Sequence, residues 1–188
     1  MSVTIEPLRA EHVAAAAGFD ASFLVDSRLS LHARDGVIGF EILPLTPYRK
    51  RYRTTEAEDL REYLDDAGPL DNADSDDRAG FVAIEQGAII GRLLLSRSWN
   101  GYASIDDIAV DAGARRSGAG SALIERAVAW ARQRNLPGVM LETQDNNVAA
   151  CCFYERKGFV LGGFDNFHYA NDAEVAHETA LFWYLIFT

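Results

Sequence analysis

Cysteine is almost missing from this chain. Cys151 and Cys152 are the only two, and they are neighbours. Adjacent cysteines do not suit a structural disulfide, and a secreted framework would use more of them. Both read as buried packing residues in a reducing cytoplasm. Positive charge is also short: 18 Lys and Arg stand against 28 Asp and Glu, a net charge of −10. That argues against nucleic acid as the main partner, because phosphate backbones demand clustered Lys and Arg. It favours a cationic acceptor, or serves solubility alone. No apolar run approaches roughly 18 residues, so neither a transmembrane span nor a membrane partner is expected. The opening MSVTIEPLRAEH carries Glu6 and Glu11 and lacks an apolar signal core. His12, His32, His168 and His177 show no ligand spacing with the cysteines, so no metal is expected.

What is present fits one soluble domain spanning 1–188, since 188 residues can bury a sizeable core. Val3 to Ile5 reads as a strand and Arg9 to Gly18 as an Ala-rich helix. Ser27 to Ala33 and Val37 to Leu43 flank Asp35-Gly36, a hairpin that Pro44 and Pro47 should close. Tyr48-Arg49-Lys50-Arg51-Tyr52 reads as a solvated loop or as a clamp on an anion. Glu56 to Asp77 holds ten carboxylates, with Arg61 its only base. A helix is expected over Thr55 to Leu64, and a mobile loop from Asp65 onward. This acidic segment is either a solvated face or the side that attracts a cationic acceptor.

From Gly80 the pattern sharpens. Phe81 to Glu85 and Ile89 to Ser96 flank Gln86-Gly87, and Tyr102 to Asp111 forms the next strand. Gly118 to Arg134 is a helix whose stripe is Leu123, Ala127 and Trp130, widened by Ile124, Val128 and Ala131. A buried strand at Val139 to Glu142 follows, then a helix from Val148 to Lys157 stopped by Gly158. Phe159 to Phe164 and Ala180 to Phe187 are the late strands. Phe182-Trp183-Tyr184 is read as a core strand, with the edge of a homodimer as the alternative. The fold class is therefore α+β, with helices flanking a mixed sheet. The crossover from Val110 to Val139 should make those two strands parallel neighbours.

The most informative stretch runs from Asp111 to Leu123, where a strand meets a Gly-rich turn and a helix start. Such a place suits an anion: glycine lets the backbone approach, several N–H groups lack helical partners, and the dipole favours negative charge. A P-loop needs Gly-Lys-Ser/Thr, and here Ala119 and Gly120 follow Gly118. The dinucleotide fingerprint fails too, because Leu123 stands where its third glycine should be. Arg115-Arg116-Ser117-Gly118-Ala119-Gly120 instead resembles the acetyl-CoA signature of the GCN5-related N-acetyltransferases, Arg/Gln-x-x-Gly-x-Gly/Ala. That family's second signature follows as Asn147-x-x-Ala150-x-x-x-Tyr154-x-x-x-Gly158-Phe159. Together the two signatures cover roughly residues 80–165. Ser98-Trp99-Asn100, Ala103 to Ile108, Leu141 to Gln144 and Asn146-Asn147 are similar to the streptothricin acetyltransferase subgroup. So are Pro47-Tyr48-Arg49-Lys50, Leu161-Gly162-Gly163 and Glu178-Thr179-Ala180.

The resemblance implies the fold of that family, a central sheet splayed between the strands at 102–111 and 139–143. It implies acetyl-CoA as co-substrate and a small cationic amine as acceptor, in this subgroup the β-lysyl amine of streptothricin. Backbone N–H groups from Arg116 through Ser117, Gly118, Ala119 and Gly120 to Ser121 would hold the pyrophosphate, with Arg115 and Arg116 adding charge. Main-chain groups of Ile108, Ala109 and Val110 would pair with the pantetheine arm, and the N–H near Ile108 would polarise the thioester. Asn147 would bond the cofactor arm or cap its helix. Tyr154 stands where the family keeps its general acid; a phenol of pKa about 10 can protonate a leaving thiolate. A core tyrosine is the plainer alternative.

An ammonium of pKa about 10.4 must lose a proton before it attacks. Asp107, Asp106 and Glu142, in that order, are the candidates for base or for ammonium binding. Strand alternation sends Asp106 and Asp107 to opposite faces, so only one should serve. Trp99 lines the acceptor pocket or is a packed core residue. Two other readings stay open: transfer to another amine, such as a polyamine or a peptide lysine, and a non-catalytic acyl-CoA-binding module.

Overall fold

The computed structural model describes residues 3–52, 55–64 and 77–188. The expected loop after Asp65 thus falls almost wholly outside the described residues. The rest forms two compact units, Met1–Ser22 with Arg51–Val139 and Phe23–Lys50 with Met140–Thr188.

In the first unit, strands β1 (Thr4–Pro7), β4 (Arg78–Glu85), β5 (Ala88–Arg97) and β6 (Ala103–Val110) lie side by side in the order β1-β4-β5-β6. Every neighbouring pair is antiparallel. The β4–β5 turn closes at Gln86 and Gly87, both at positive φ (53° and 80°), as a tight hairpin requires. Helix α3 (Ala119–Gln133) buries Leu123, Ile124, Ala127, Trp130 and Ala131, the stripe that its 3.6-residue period marks out. Burying each large apolar side chain contributes about 1.5–3 kcal/mol. Arg126 lies over the ring of Phe81 at 4.3 Å, so the helix also meets the sheet through a cation–π contact.

A second cluster joins Leu8, Val13, Ala16, Leu60, Val82 and Leu94. It brings together the helices α1 (Val13–Gly18) and α2 (Ala57–Arg61). Both are shorter than their sequence suggests. Ala10–His12 is a 3₁₀ turn ahead of α1, and after Arg61 the chain tightens. Glu62 N–H bonds Asp59 O at 3.3 Å and Tyr63 N–H bonds Leu60 O at 3.1 Å, the three-residue spacing of a 3₁₀ end.

In the second unit, β7 (Gly138–Gln144, nearly all of it here), β9 (Ala180–Ile186) and β8 (Val160–Asp165) are neighbours in that order. Helix α4 (Val148–Arg156) stops at Gly158, whose φ is +88°. Leu181 and Trp183 are buried, which makes the aromatic tail a core strand. A long hairpin, β2 (Phe23–Arg34) with β3 (Val37–Lys50), completes the unit.

The prolines do not close that hairpin. β3 runs through Pro44 and Pro47 as far as Lys50. Two features permit this. The sheet has only two strands, and its register slips between Val25 and Ser27, which face Tyr48 and Pro44. Pro47 falls in the irregular stretch, where its missing N–H costs no ladder bond. Residues 48–50 are accordingly strand and not loop, though Tyr48, Arg49 and Arg51 are exposed. Lys50 makes an ion pair with buried Glu178, and Arg51 pairs with Asp20 at 2.8 Å.

Candidate functional site

In the first unit, the end of β6 leads into the anion-type turn. Asp111 caps it: Oδ1 accepts from Gly113 N–H at 2.8 Å, and Oδ2 accepts from Asp20 N–H at 3.1 Å. Ala112 N–H returns a bond to Asp20 O at 2.8 Å. The guanidinium of Arg115 donates to Ala21 O at 3.2 Å and to Ser22 O at 2.6 Å. Arg115 therefore clamps the 20–22 segment, and both it and Arg116 remain exposed.

Arg116 itself has φ +68°, and Gly118 has φ +98°. A non-glycine residue in the left-handed region costs of order 1–3 kcal/mol and persists only where its surroundings impose it. Here it folds the backbone back so that the chain enters α3 from Gly118. Ser117 N–H bonds Ala114 O and Ala119 N–H bonds Ser117 Oγ, each at 3.3 Å. Gly120 and Ser121 lie in the first helical turn, where N–H groups have no intrahelical acceptor.

Further back on the same strand, Ile108, Ala109 and Val110 are half-buried and face Leu93, Arg92 and Gly91 of β5. The two aspartates ahead of them break the expected alternation. Leu94 faces Asp107 and Leu95 faces Ile105, so Asp106 is the extra residue of a β-bulge. In consequence both carboxylates reach the segment at 55–63. Asp106 Oδ2 accepts from Tyr63 Oη at 3.0 Å, and Asp107 Oδ2 accepts from Thr55 Oγ1 at 3.3 Å and from Arg92 Nε.

Trp99 is not a core residue. It is 97% exposed, on a turn where Ser98 N–H bonds Tyr102 O and Gly101 N–H bonds Ser98 O, both at 2.9 Å. With φ +86° at Gly101, the turn is tight and holds the indole outward.

In the second unit, Glu142 on β7 accepts from Tyr169 Oη, and that oxygen accepts from Gln144 Nε2 at 2.9 Å. Burial pushes the Glu142 carboxyl up, against the opposing pull of the Tyr169 hydrogen bond. Asn147 starts α4 but its side chain makes no capping bond, which removes the capping alternative. Tyr154 is only 7% exposed, with ring centroids of Phe153, Phe159 and Trp183 at 5.6, 5.8 and 6.5 Å. It is a packed aromatic whatever else it does.

Each unit thus gathers one part of the expected set. The turn 115–121, the strand 106–110 and Trp99 share the first; Glu142, Asn147 and Tyr154 share the second. Sequence reasoning missed Asp20, Tyr63, Arg92 and Tyr169. Only Arg92 left a signal, a lone cation inside an apolar strand run. Among the described residues, no group of His, Cys, Asp or Glu could hold a metal ion, and no helix is long and apolar enough to cross a membrane.

The profile of the Acetyltransferase (GNAT) family matches residues 43–159. The chain is 35% identical over 184 residues to the streptothricin acetyltransferase of Escherichia coli, covering 98% of this chain and 95% of that protein. It is 39% identical over 128 residues to streptothricin acetyltransferase A of Bacillus subtilis (strain 168), covering 68% of this chain and 73% of that one. A crystal structure from Bacillus anthracis str. Ames, of a protein assigned to the streptothricin acetyltransferases and solved with acetyl coenzyme A, superposes with a TM-score of 0.85. Identity is 37%, over 100% of this chain and 99% of that one. With a mixed α+β fold, the signature turn at 115–120, a family profile over most of the chain and the Escherichia coli relative matched along nearly its whole length, this chain belongs to the acetyltransferase (GNAT) family.

Proposed function

We propose that this protein moves the acetyl group of acetyl-CoA onto a primary amine of streptothricin, the β-lysyl amine, and so inactivates the antibiotic in the cytoplasm. The observation that carries the reading is the turn 115–120, with left-handed backbone at Arg116 and Gly118 at the start of a long helix. Similarity along nearly the whole chain to streptothricin acetyltransferases supports the acceptor. The whole chain acts as one acetyltransferase domain, with the described acidic residues 56–64 on the acceptor side.

Bound acetyl-CoA supplies an activated acetyl thioester. N–H groups from Arg116 to Ser121 hold the pyrophosphate oxygens, and Arg115 and Arg116 add their charge. Main-chain groups of Ile108, Ala109 and Val110 hold the pantetheine arm, and the Ile108 N–H stabilises negative charge on the carbonyl oxygen. Asn147 bonds the same arm with its uncommitted amide.

A carboxylate among Asp106, Asp107 and Glu142 receives the ammonium and its proton, directly or through water. The freed amine nitrogen then attacks the carbonyl carbon. As the carbon–sulfur bond breaks, Tyr154 gives its phenolic proton to the departing thiolate, and the surplus proton on the attacking nitrogen passes, directly or through water, to the tyrosinate so formed. The products are the acetamide and CoA.

The test follows free thiol while the protein is incubated with acetyl-CoA and streptothricin. Release well above background is expected. Release with spermidine or a lysine peptide but not with streptothricin would move the acceptor elsewhere. Acetyl-CoA binding without turnover on any amine would favour an acyl-CoA-binding module.

A further inference from the structure

The bulge on β6 presents two carboxylates to one segment, yet their surroundings differ. Arg92, on the neighbouring strand, is only 3% exposed. Its Nε bonds Asp107 Oδ2, its Nη1 bonds Ala16 O at 2.8 Å, and its Nη2 bonds Thr55 Oγ1 at 2.9 Å. The guanidinium also lies 5.0 Å from the ring centroid of Phe19. A buried guanidinium stripped of its carboxylate is strongly destabilising, so Asp107 is committed as its counter-ion. Asp106 is exposed and accepts from Tyr63, whose hydroxyl is a neutral donor. That bond orients the carboxylate without balancing its charge. Nor does the nearby cation supply the balance: Arg78 stacks on Tyr63 at 5.5 Å but gives its hydrogen bond to Glu62 at 2.7 Å.

We infer that Arg92 and Tyr63 are positioning residues that divide the labour of the bulge. Arg92 engages Asp107 and so fixes where β6 departs from regular pairing, while Tyr63 aims Asp106 at the acceptor's ammonium. The inference rests on the acetyltransferase reading above and goes past it by separating the roles of the two bulge carboxylates and naming the residues that set them apart. Ile108, whose N–H faces the thioester in that reading, follows the bulge directly. A shift of Asp107 would therefore misplace an oxyanion donor without touching the pyrophosphate turn.

The experiment separates kcat from KM for streptothricin in a set of variants, with melting temperature and acetyl-CoA affinity measured alongside. Tyr63→Phe should raise KM for streptothricin about three- to tenfold, the worth of one hydrogen bond, with acetyl-CoA affinity and melting temperature unchanged. Asp106→Asn should raise it about tenfold to a hundredfold, as the loss of a charge-assisted contact does. Arg92→Lys should lower kcat about tenfold or more, since one ammonium cannot reproduce the planar fork. The double variant Arg92→Met/Asp107→Leu removes both charges and should recover melting temperature but not kcat. Recovery of both would make Arg92 merely structural and overturn its assignment. Tyr63→Phe with an unaltered KM, or Asp107→Asn that raises KM as much as Asp106→Asn, would overturn the division. If the wild type acetylates spermidine instead, the acceptor reading fails while the same series, run on spermidine, still decides the inference. A wild type that binds neither amine overturns both.

Discussion

Tyr169, on the loop between β8 and β9, donates its phenolic hydrogen to the Glu142 carboxylate on β7 and accepts from Gln144, two residues further along that strand. Burial raises the Glu142 carboxyl above its ordinary value of 4.5, and the tyrosine only partly offsets it. The folded protein therefore holds this proton at pH values where the unfolded chain has released it. Stability linked to Glu142 is fully present below about pH 4.5 and is lost as pH rises through the folded-state value. Glu142→Gln should melt with a flatter pH dependence than the wild type above about pH 4.5. Calorimetric melting at several pH values checks this; parallel curves would refute it.

Tyr154→Phe keeps the ring among Phe153, Phe159 and Trp183 and deletes one hydroxyl. If that hydroxyl protonates the leaving thiolate, kcat should fall about a hundredfold or more with acetyl-CoA affinity nearly unchanged. Steady-state kinetics with equilibrium binding decides. An unaltered kcat would leave Tyr154 as packing alone.

Gly118 and Gly80 should fail in different ways when changed to alanine. A Cβ at Gly118 meets nothing within 4 Å, so the penalty is the φ of +98°, about 1–2 kcal/mol. Relaxation of that strain would distort the turn, and KM for acetyl-CoA should rise. A Cβ at Gly80 would sit 2.7 Å from Tyr63 O and 2.8 Å from Leu8 Cβ. Gly80→Ala should cost about 1–3 kcal/mol in denaturant unfolding. Acetyl-CoA affinity in the folded fraction should be unaffected.

Lys50 at the end of β3 and Glu178 before β9 form an ion pair with little exposure. Lys50→Ala would strand the buried carboxylate and should cost about 3–5 kcal/mol, whereas Lys50→Met/Glu178→Leu should recover most of it. Urea unfolding of the two variants gives the comparison. Equal losses would mean that packing, not charge, holds the pair.

Much of this was legible in the sequence, for reasons that can be named. The α3 stripe and the Gln86-Gly87 turn are local: a 3.6-residue period and a left-handed pair each declare themselves within a short window. The Arg115–Gly120 turn is local too. What stayed hidden depends on partners far along the chain. Pro44 and Pro47 read as stops because nothing nearby says that β3 has a free edge and a register slip. Asp106 and Asp107 read as opposite because alternation assumes no bulge, and a bulge is set by the facing strand. That Arg115 also ties down Ala21 and Ser22 stayed hidden because those acceptors lie more than ninety positions earlier.

The outward turn at Trp99 has an optical consequence. Of the three tryptophans, Trp130 and Trp183 are buried and Trp99 is bathed in solvent. Red-edge emission and quenching by iodide or acrylamide should therefore report almost solely on Trp99. The turn leads into β6, which carries the bulge aspartates, so an acceptor that reaches the indole would announce itself as a blue shift and loss of quenching. The native chain already carries its own fluorescent reporter.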